Sequence, residues 1–271
     1  NLEYIRNRTS EIRNLFTVIE ICALASGSNG NSYYIGNETD AILVDAGIST
    51  RQLIQRFESR RLDPRKLRGV FLSHEHSDHS RGLQVLSKRR HVTVWMSKHT
   101  YYALSPAYRP MYVELFEPGE AVAVGPFQVH TFLKNHDAAE PCSFRVETGG
   151  RSIGVFTDIG QPCEMVRREV NRCHALFLET NYDEKMLWEG PYPWPLKKRV
   201  ASDVGHLSNM QALELLQKEA HPELECLFLS HLSRENNVPS LAFSVFEPFH
   251  SKTEVKLTSR VEASEVYRMS L

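Results

Sequence analysis

The six residues His74-Glu75-His76-Ser77-Asp78-His79 put three imidazoles and two carboxylates directly after the apolar run Val70-Phe71-Leu72. Neutral imidazole nitrogens and carboxylate oxygens are ligand types that zinc, manganese and iron share, so the chemistry this spacing offers is metal binding. Alternation at the end of a strand aims His74 and His76 into the same space. Asp78 and His79, lying beyond, are placed to serve a second ion. The run is not the helical H-E-x-x-H signature of zinc proteases, which starting at His74 needs histidine at 78 and finds Asp78.

Three further ligand candidates stand where an apolar strand yields to a loop: His136 in Lys134-Asn135-His136-Asp137, Asp158 in Phe156-Thr157-Asp158-Ile159-Gly160, and His231 in Phe228-Leu229-Ser230-His231. A single strand-end histidine is more often a surface or hydrogen-bonded residue. Following the first motif in order, the three read as its partners. His91, His99, His130, His174, His221 and His250 have no such partner in sequence and read as ordinary.

The elements that must carry these residues are short apolar strands, expected at 17–24, 31–35, 41–44, 70–72, 92–96, 127–133, 143–147, 152–156, 175–178, 226–229 and 255–258. Helices are expected at 50–60 behind Ser49, 81–89 behind Ser80, 162–170, and 209–220 behind Ser208. The order suggests an α+β protein with two sheets packed face to face and helices outside, rather than a Rossmann alternation. No internal repeat is visible. Residues 1–16 read as an N-terminal extension and 17–271 as a single domain; the initial Asn1 suggests a start inside a longer chain or after a processed leader.

The chain has 271 residues, with Lys+Arg 32 against Asp+Glu 33 and 12 histidines. Near-neutrality excludes a protein that coats nucleic acid by bulk charge, so any polyanion must be held by a local patch. No apolar run approaches the ~20 residues that span a bilayer, and Arg6, Arg8 and Arg13 stand where a signal peptide needs an apolar stretch. A soluble, cytoplasmic protein is expected, with no membrane partner and no obligate protein partner. The five cysteines form no C-x-x-C pair and read as reduced structural thiols.

Two segments could meet a substrate. Gly190-Pro191-Tyr192-Pro193-Trp194-Pro195-Leu196-Lys197-Lys198-Arg199 reads as a surface loop, either a proline-stiffened connection or a platform offering stacking faces and cations together. Ser28, Asn29 and Asn31 occupy a glycine-rich turn whose amides either line the site or simply close the turn. Arg234, just past His231, contacts phosphate or caps the next helix.

From Ile19 onward the series resembles the metallo-β-lactamase superfamily, which implies a four-layer αββα sandwich of two mixed sheets. By that resemblance His74, His76 and His136 bind one divalent ion, Asp78, His79 and His231 a second, and Asp158 bridges them. Asp45, in Ile42-Leu43-Val44-Asp45-Ala46-Gly47, matches the aspartate that supports the metal histidines from behind. Leu178-Glu179-Thr180, Gly205-His206-Leu207-Ser208-Asn209 and Leu229-Ser230-His231-Leu232-Ser233-Arg234 look like the phosphodiesterase branch that includes tRNase Z. With the Ser26–Ser32 loop, the Tyr192–Arg199 segment and Ser202-Asp203-Val204-Gly205-His206, the chain is similar to the bacterial YycJ (WalJ) family, which implies a 5′-to-3′ DNA exonuclease.

The expected mechanism uses hydroxide bridging the two ions as nucleophile, Asp78 to orient it, and His206 as general acid with Glu179 as its partner. The competing readings on the same fold are a phosphodiesterase for a small cyclic or nucleotide substrate, a lactone, thioester or β-lactam hydrolase, and a non-catalytic binding module. The lactone class has no need of a cationic acid at 206, and the binding module would be expected to have lost ligands. The absence of a large inserted domain argues against a β-CASP-type ribonuclease.

Overall fold

The computed structural model describes residues 18–271; the expected N-terminal extension, and Thr17 of the first expected strand, lie outside the described residues. One sheet contains β1 (Val18–Ala25), β2 (Ser32–Gly36), β3 (Ala41–Val44), β4 (Leu67–Phe71), β5 (Thr93–Ser97) and β6 (Val113–Phe116). The other contains β7 (Ala121–Val124), β8 (Phe127–Leu133), β9 (Cys142–Thr148), β10 (Arg151–Phe156), β11 (Ala175–Glu179), β12 (Cys226–Ser230) and β13 (Glu254–Leu257). β14 (Tyr267–Ser270) returns to the first sheet beside β1, giving the orders β14-β1-β2-β3-β4-β5-β6 and β13-β12-β11-β10-β9-β8-β7.

The two halves trace one path. β1, β2 and β3 pair antiparallel, then β4, β5 and β6 add in parallel. β8, β9 and β10 pair antiparallel, then β11, β12 and β13 add in parallel. A duplicated topology therefore exists where the sequence shows no repeat. Asp45 follows β3 and Asp158 follows β10, the same step of each half.

The helices, in chain order, are α1 (Thr50–Ser59), α2 (Ser77–Ser80), α3 (Leu83–Arg90), α4 (Lys98–Ala103), α5 (Glu164–Val170), α6 (Glu184–Glu189), α7 (Trp194–Val200), α8 (Asn209–Glu219) and α9 (Pro239–Val245). α1 and α8 begin with capping boxes, Ser49 with Gln52 and Ser208 with Gln211, which satisfy N–H groups left orphaned by the first turn. Between the sheets lie Tyr33, Phe71, Phe144, Phe177 and Phe228, with Phe177 stacked on Phe228 at 4.5 Å. Leu53 and Phe57 of α1 and Leu83 and Leu86 of α3 cover the outer face of the first sheet. Val166 and Val170 of α5, Leu213 and Leu216 of α8, and Ala242 of α9 cover the second. Each large apolar side chain so buried contributes about 2 kcal/mol. The four-layer αββα sandwich is thus the observed fold.

Three strands and five helices are additional to the expected elements. β6 and β7 are four-residue edge strands with mixed exposure, and β14 is a short return from the far end of the chain, so none shows a full half-buried period. α7 replaces the expected loop because its prolines suit a helix start: Pro193 is the N-cap and Pro195 sits in the first turn, where its missing N–H costs nothing. The helix expected behind Ser80 is α3, which starts behind Gly82 instead, because Ser80 ends the separate turn α2 that carries Asp78 and His79.

Candidate metal centre

The ligand candidates converge because strands end abruptly beside one another. Asp45, Asp158 and His231 have positive φ values of 62°, 54° and 55°, so each turns the chain sharply just after its strand. A left-handed backbone is uncommon outside glycine, and aspartate and histidine are among the residues that adopt it more often than most. Asp45-Ala46-Gly47 and Asp158-Ile159-Gly160 repeat one local solution. A Cβ at Gly47 would stand 1.5 Å from the Asp78 carbonyl oxygen, and one at Gly160 2.1 Å from that of Asp203. Both glycines let a second loop press against the ligand-bearing turn.

Three groups of potential ligand atoms lie within 4.8 Å of one another: His74, His76 and His136; His74, His79 and Asp158; and Asp158, Glu179, His206 and His231. Asp78 joins through His79, its Oδ2 lying 3.4 Å from His79 Nε2. Asp158 lies among all of these, with Oδ2 3.3 Å from His79 Nε2, and Oδ1 3.1 Å from His231 Nδ1 and 3.9 Å from His136 Nε2. Asp158 thus stands between the two sets of candidate donors.

The rings are held from behind. His79 Nδ1 lies 2.7 Å from Asp45 Oδ2, His74 Nδ1 2.9 Å from Ser73 Oγ, His136 Nδ1 3.2 Å from the Gly205 carbonyl, and His231 Nδ1 3.0 Å from Glu179 Oε1. Ser73 donates in turn to Asp45 at 2.9 Å, so one buried carboxylate supports two ring systems. This network favours the proton on Nδ1 of each ring and leaves Nε2 as the other edge; His74 Nε2 lies 3.0 Å from His76 Nδ1, and His79 Nε2 lies 3.1 Å from Asn31 Nδ2. His136 Nε2, His231 Nε2 and Asp158 Oδ2 are buried without a hydrogen-bond partner. Three unpartnered buried polar atoms at three different strand exits fit divalent cations.

Electrostatics points the same way. Burial, the neighbouring His79 and the Lys134 cation hold His74 well below the ordinary histidine range, and burial lowers His136 to about 4, so both rings are neutral, the form a metal requires. Around Asp158 burial disfavours charge, yet His231 and His79 keep its carboxyl well below its usual value. Burial likewise opposes charge on His231, but Asp158 and Glu179 raise it to about 10. The carboxylate-rich half of the centre draws protons onto imidazoles, the positive charge that metal would supply in their place.

A fourth group, His174, His221 and Glu223, also lies within reach of one another. There, however, His174 Nδ1 accepts from the Ser152 N–H at 3.1 Å and His221 Nδ1 from the Glu223 N–H at 3.0 Å. Each ring then carries its proton on Nε2 and has no free lone pair, so the group lacks the chemistry of the centre above.

His206 belongs to the group that also contains Asp158, Glu179 and His231, and is partly exposed, with Nδ1 2.8 Å from Glu179 Oε1. Glu179 is fully buried, and its Oε2 accepts the N–H groups of Ile159 at 2.7 Å and Leu207 at 3.3 Å. Burial alone would raise this carboxyl; the His206 and His231 imidazoles bring it down to about 2. One anionic residue thus fixes the 158–160 turn, the 206–207 loop and the His231 ring.

The rim residues separate. Asn31 is buried, with Nδ2 3.3 Å from Asp78 Oδ2 and 3.1 Å from His79 Nε2, so it positions ligands, while Ser28 and Asn29 are exposed. Trp194 is exposed, 5.4 Å from Trp188, with Lys198 over its ring at 5.5 Å; Tyr192 is half-buried. Lys197 is buried and donates to the Trp188 carbonyl at 2.7 Å, and Arg199 donates to Asp137 at 2.6 Å, so these two latch α7 in place. Arg234 is exposed beside Glu235. Sequence reading missed Ser73, and Ser26, whose Oγ accepts the His231 N–H at 2.8 Å. A serine carries no signal in sequence beyond its adjacency to a ligand or a glycine turn.

Residues 40–228 match the family model of the β-lactamase superfamily domain. Exodeoxyribonuclease YycJ of Bacillus anthracis is 33% identical over 227 residues, 83% of this chain and 86% of that protein. Exodeoxyribonuclease WalJ of Streptococcus pneumoniae serotype 2 is 32% identical over 224 residues, 81% of this chain and 83% of that protein. Zn(2+)-bound PqqB from Methylobacterium extorquens shares the fold, with a TM-score of 0.70 at 14% identity over 93% of this chain and 100% of that one. The chain belongs to the metallo-β-lactamase superfamily. Within it, the chain belongs to the YycJ/WalJ family.

Proposed function

We propose that the protein is a dinuclear metal-dependent phosphodiester hydrolase acting on DNA, a 5′-to-3′ exonuclease of the YycJ type. The observation that carries this reading is His206, held through Nδ1 by the buried Glu179 beside Asp158 and His231, with its ring partly open to solvent. Expelling a sugar alkoxide requires a proton, and hydrolysis of a lactone or β-lactam has no comparable need for a cationic acid there. The names of the relatives support the same substrate class.

His74, His76 and His136 would hold one ion, Asp78, His79 and His231 the other, with Asp158 between them; zinc, manganese and iron all suit these donors. When bound, two such ions supply hydroxide near neutral pH and positive charge against the phosphate oxygens. Asp45 and Ser73 hold the His79 and His74 rings in the tautomer that ligates. Glu179 keeps the proton on His206 Nδ1, so the Nε2 edge is the one that delivers a proton to the leaving oxygen. Trp194 and Lys198 offer a stacking face and a cation to the strand.

The test is metal analysis of the purified protein together with cleavage of 5′-labelled single- and double-stranded DNA and RNA, with His76→Ala as control. Stepwise release of nucleotides from the 5′ end of DNA, lost in His76→Ala, is the expected result. Hydrolysis of a small diester with no activity on either form of DNA would replace this reading by the small-substrate phosphodiesterase.

A further inference from the structure

Arg260 lies just past β13, in the strand-exit layer that carries the ligands, and nothing in the metal centre uses it. The Ser26 N–H donates to the Ser259 carbonyl at 3.2 Å, and Ser26 Oγ accepts from His231, so the segment adjoins the ligand-bearing turn. The Arg260 backbone is pinned as well: its carbonyl accepts from Arg56 Nη2 at 3.1 Å and from Asn29 Nδ2 at 3.3 Å. Its guanidinium donates once, from Nη2 to the exposed Ser28 Oγ at 2.8 Å.

The other two nitrogens, Nε and Nη1, are buried and have no acceptor. Buried guanidinium donors are ordinarily satisfied, and among the described residues no carboxylate is paired with this one. Arg234 acts on it as a like charge, and the nearby acid Glu235 lies 3.5 Å from Arg234. Arg260, half-buried with donors unfilled, therefore feels the charge of a second guanidinium whose own acid, Glu235, already stands beside it. Burial, then the Arg234 charge, lowers the affinity of Arg260 for its proton, the cost an arriving anion would relieve.

We propose that Arg260, with Ser28 and Arg234, forms a phosphate-binding subsite at the mouth of the metal centre that receives a phosphate of the nucleic acid other than the one being cleaved. A phosphate oxyanion supplies the acceptors that Nε and Nη1 lack, and arginine is the residue suited to such oxyanions. The inference rests on the nuclease reading above. A terminal 5′-phosphate and an internal backbone phosphate offer the same oxygens, and the choice of substrate separates them.

The experiment compares wild type, Arg260→Gln and Arg260→Lys on 5′-phosphorylated and 5′-hydroxyl single-stranded DNA, with bis(p-nitrophenyl) phosphate as a reference diester too small to span both positions. Loss of charge-assisted hydrogen bonds is expected to raise KM for DNA roughly 10-fold or more relative to the small diester. The slope of log KM against log salt should fall by about 0.7, the value for one phosphate on a single strand. Arg260→Lys should recover the salt slope but not the full KM. A loss confined to the 5′-phosphorylated strand assigns the terminal phosphate, and an equal loss on both strands assigns a backbone phosphate.

An unchanged KM and salt slope in Arg260→Gln, or losses equal on DNA and the small diester, would overturn the subsite and leave the nuclease reading standing. A wild-type protein that turns over the small diester and no DNA overturns both.

Discussion

Glu179 shows how much a single buried carboxylate organises: Oε1 faces two imidazoles and Oε2 accepts two backbone N–H groups. Glutamine at 179 has one acceptor oxygen for these four donors and turns an NH2 toward one pair. We expect Glu179→Gln to cost about 1–3 kcal/mol in urea unfolding and to lower DNA turnover. His206→Ala should keep both ions in elemental analysis while losing about 10²–10⁴ in kcat on DNA. Bis(p-nitrophenyl) phosphate, whose leaving group departs without a proton, should be far less affected; an equal loss on both substrates would remove His206 as the acid. The types and spacing of His74 to His79 made the ligand cluster legible from sequence, because a metal fixes which atoms it accepts. Ser73 and Arg260 were not, since a serine or an arginine acquires its role only from what the fold sets beside it.

At the level of elements, α5 is fastened to the second sheet by a buried ion pair, Arg145 Nε of β9 to Glu169 Oε2 at 2.6 Å, with Arg145 also donating to Ser152 Oγ at 3.2 Å. Glu169→Ala leaves the Arg145 guanidinium buried without this partner and should cost about 3 kcal/mol, measured as a lower urea midpoint at unchanged slope. Burial would raise the Glu169 carboxyl, but the Arg145 hydrogen bond and charge, with Arg168 and Arg172, leave it below its ordinary value of 4.5. Its folded pKa is depressed, so its contribution is complete above the unfolded pKa and is lost as pH falls through the folded one. The wild-type advantage over Glu169→Ala should shrink below about pH 4.3. α7 carries a contrast of its own: Lys198→Gln should flatten the salt dependence of DNA binding, whereas Lys197→Met, which loses only the latch to Trp188, should not. The prolines around Trp194 hid that helix from a sequence reading, because only the observed start at Pro193 makes Pro195 harmless.

For the whole molecule, the candidate metal centre lies at one end of both sheets and draws its donors from each half, so on the proposed reading occupancy and global stability are linked. Removing the ions with a chelator should lower the melting midpoint by roughly 5–10 °C, the effect of withdrawing a ligand present at ~100 times its Kd from a domain of this size. Zinc or manganese should restore it, and a midpoint indifferent to chelation would count against resident ions. By itself the sequence determined the chemistry that can be done here: His74-Glu75-His76-Ser77-Asp78-His79 and the strand-end residues His136, Asp158 and His231 are donors of one kind, and hydrophobic alternation set most of the strands that carry them. Tertiary structure alone decided how those donors are used. The duplicated path of the two halves brings Asp45 and Asp158 to equivalent turns with no repeat in the residues, because a path is set by strand pairing rather than by identity. Tautomer, orphaned acceptors and free cations likewise depend on the neighbour across a gap, which separates His74 from His174 and Lys198 from Lys197 although each pair is one residue type.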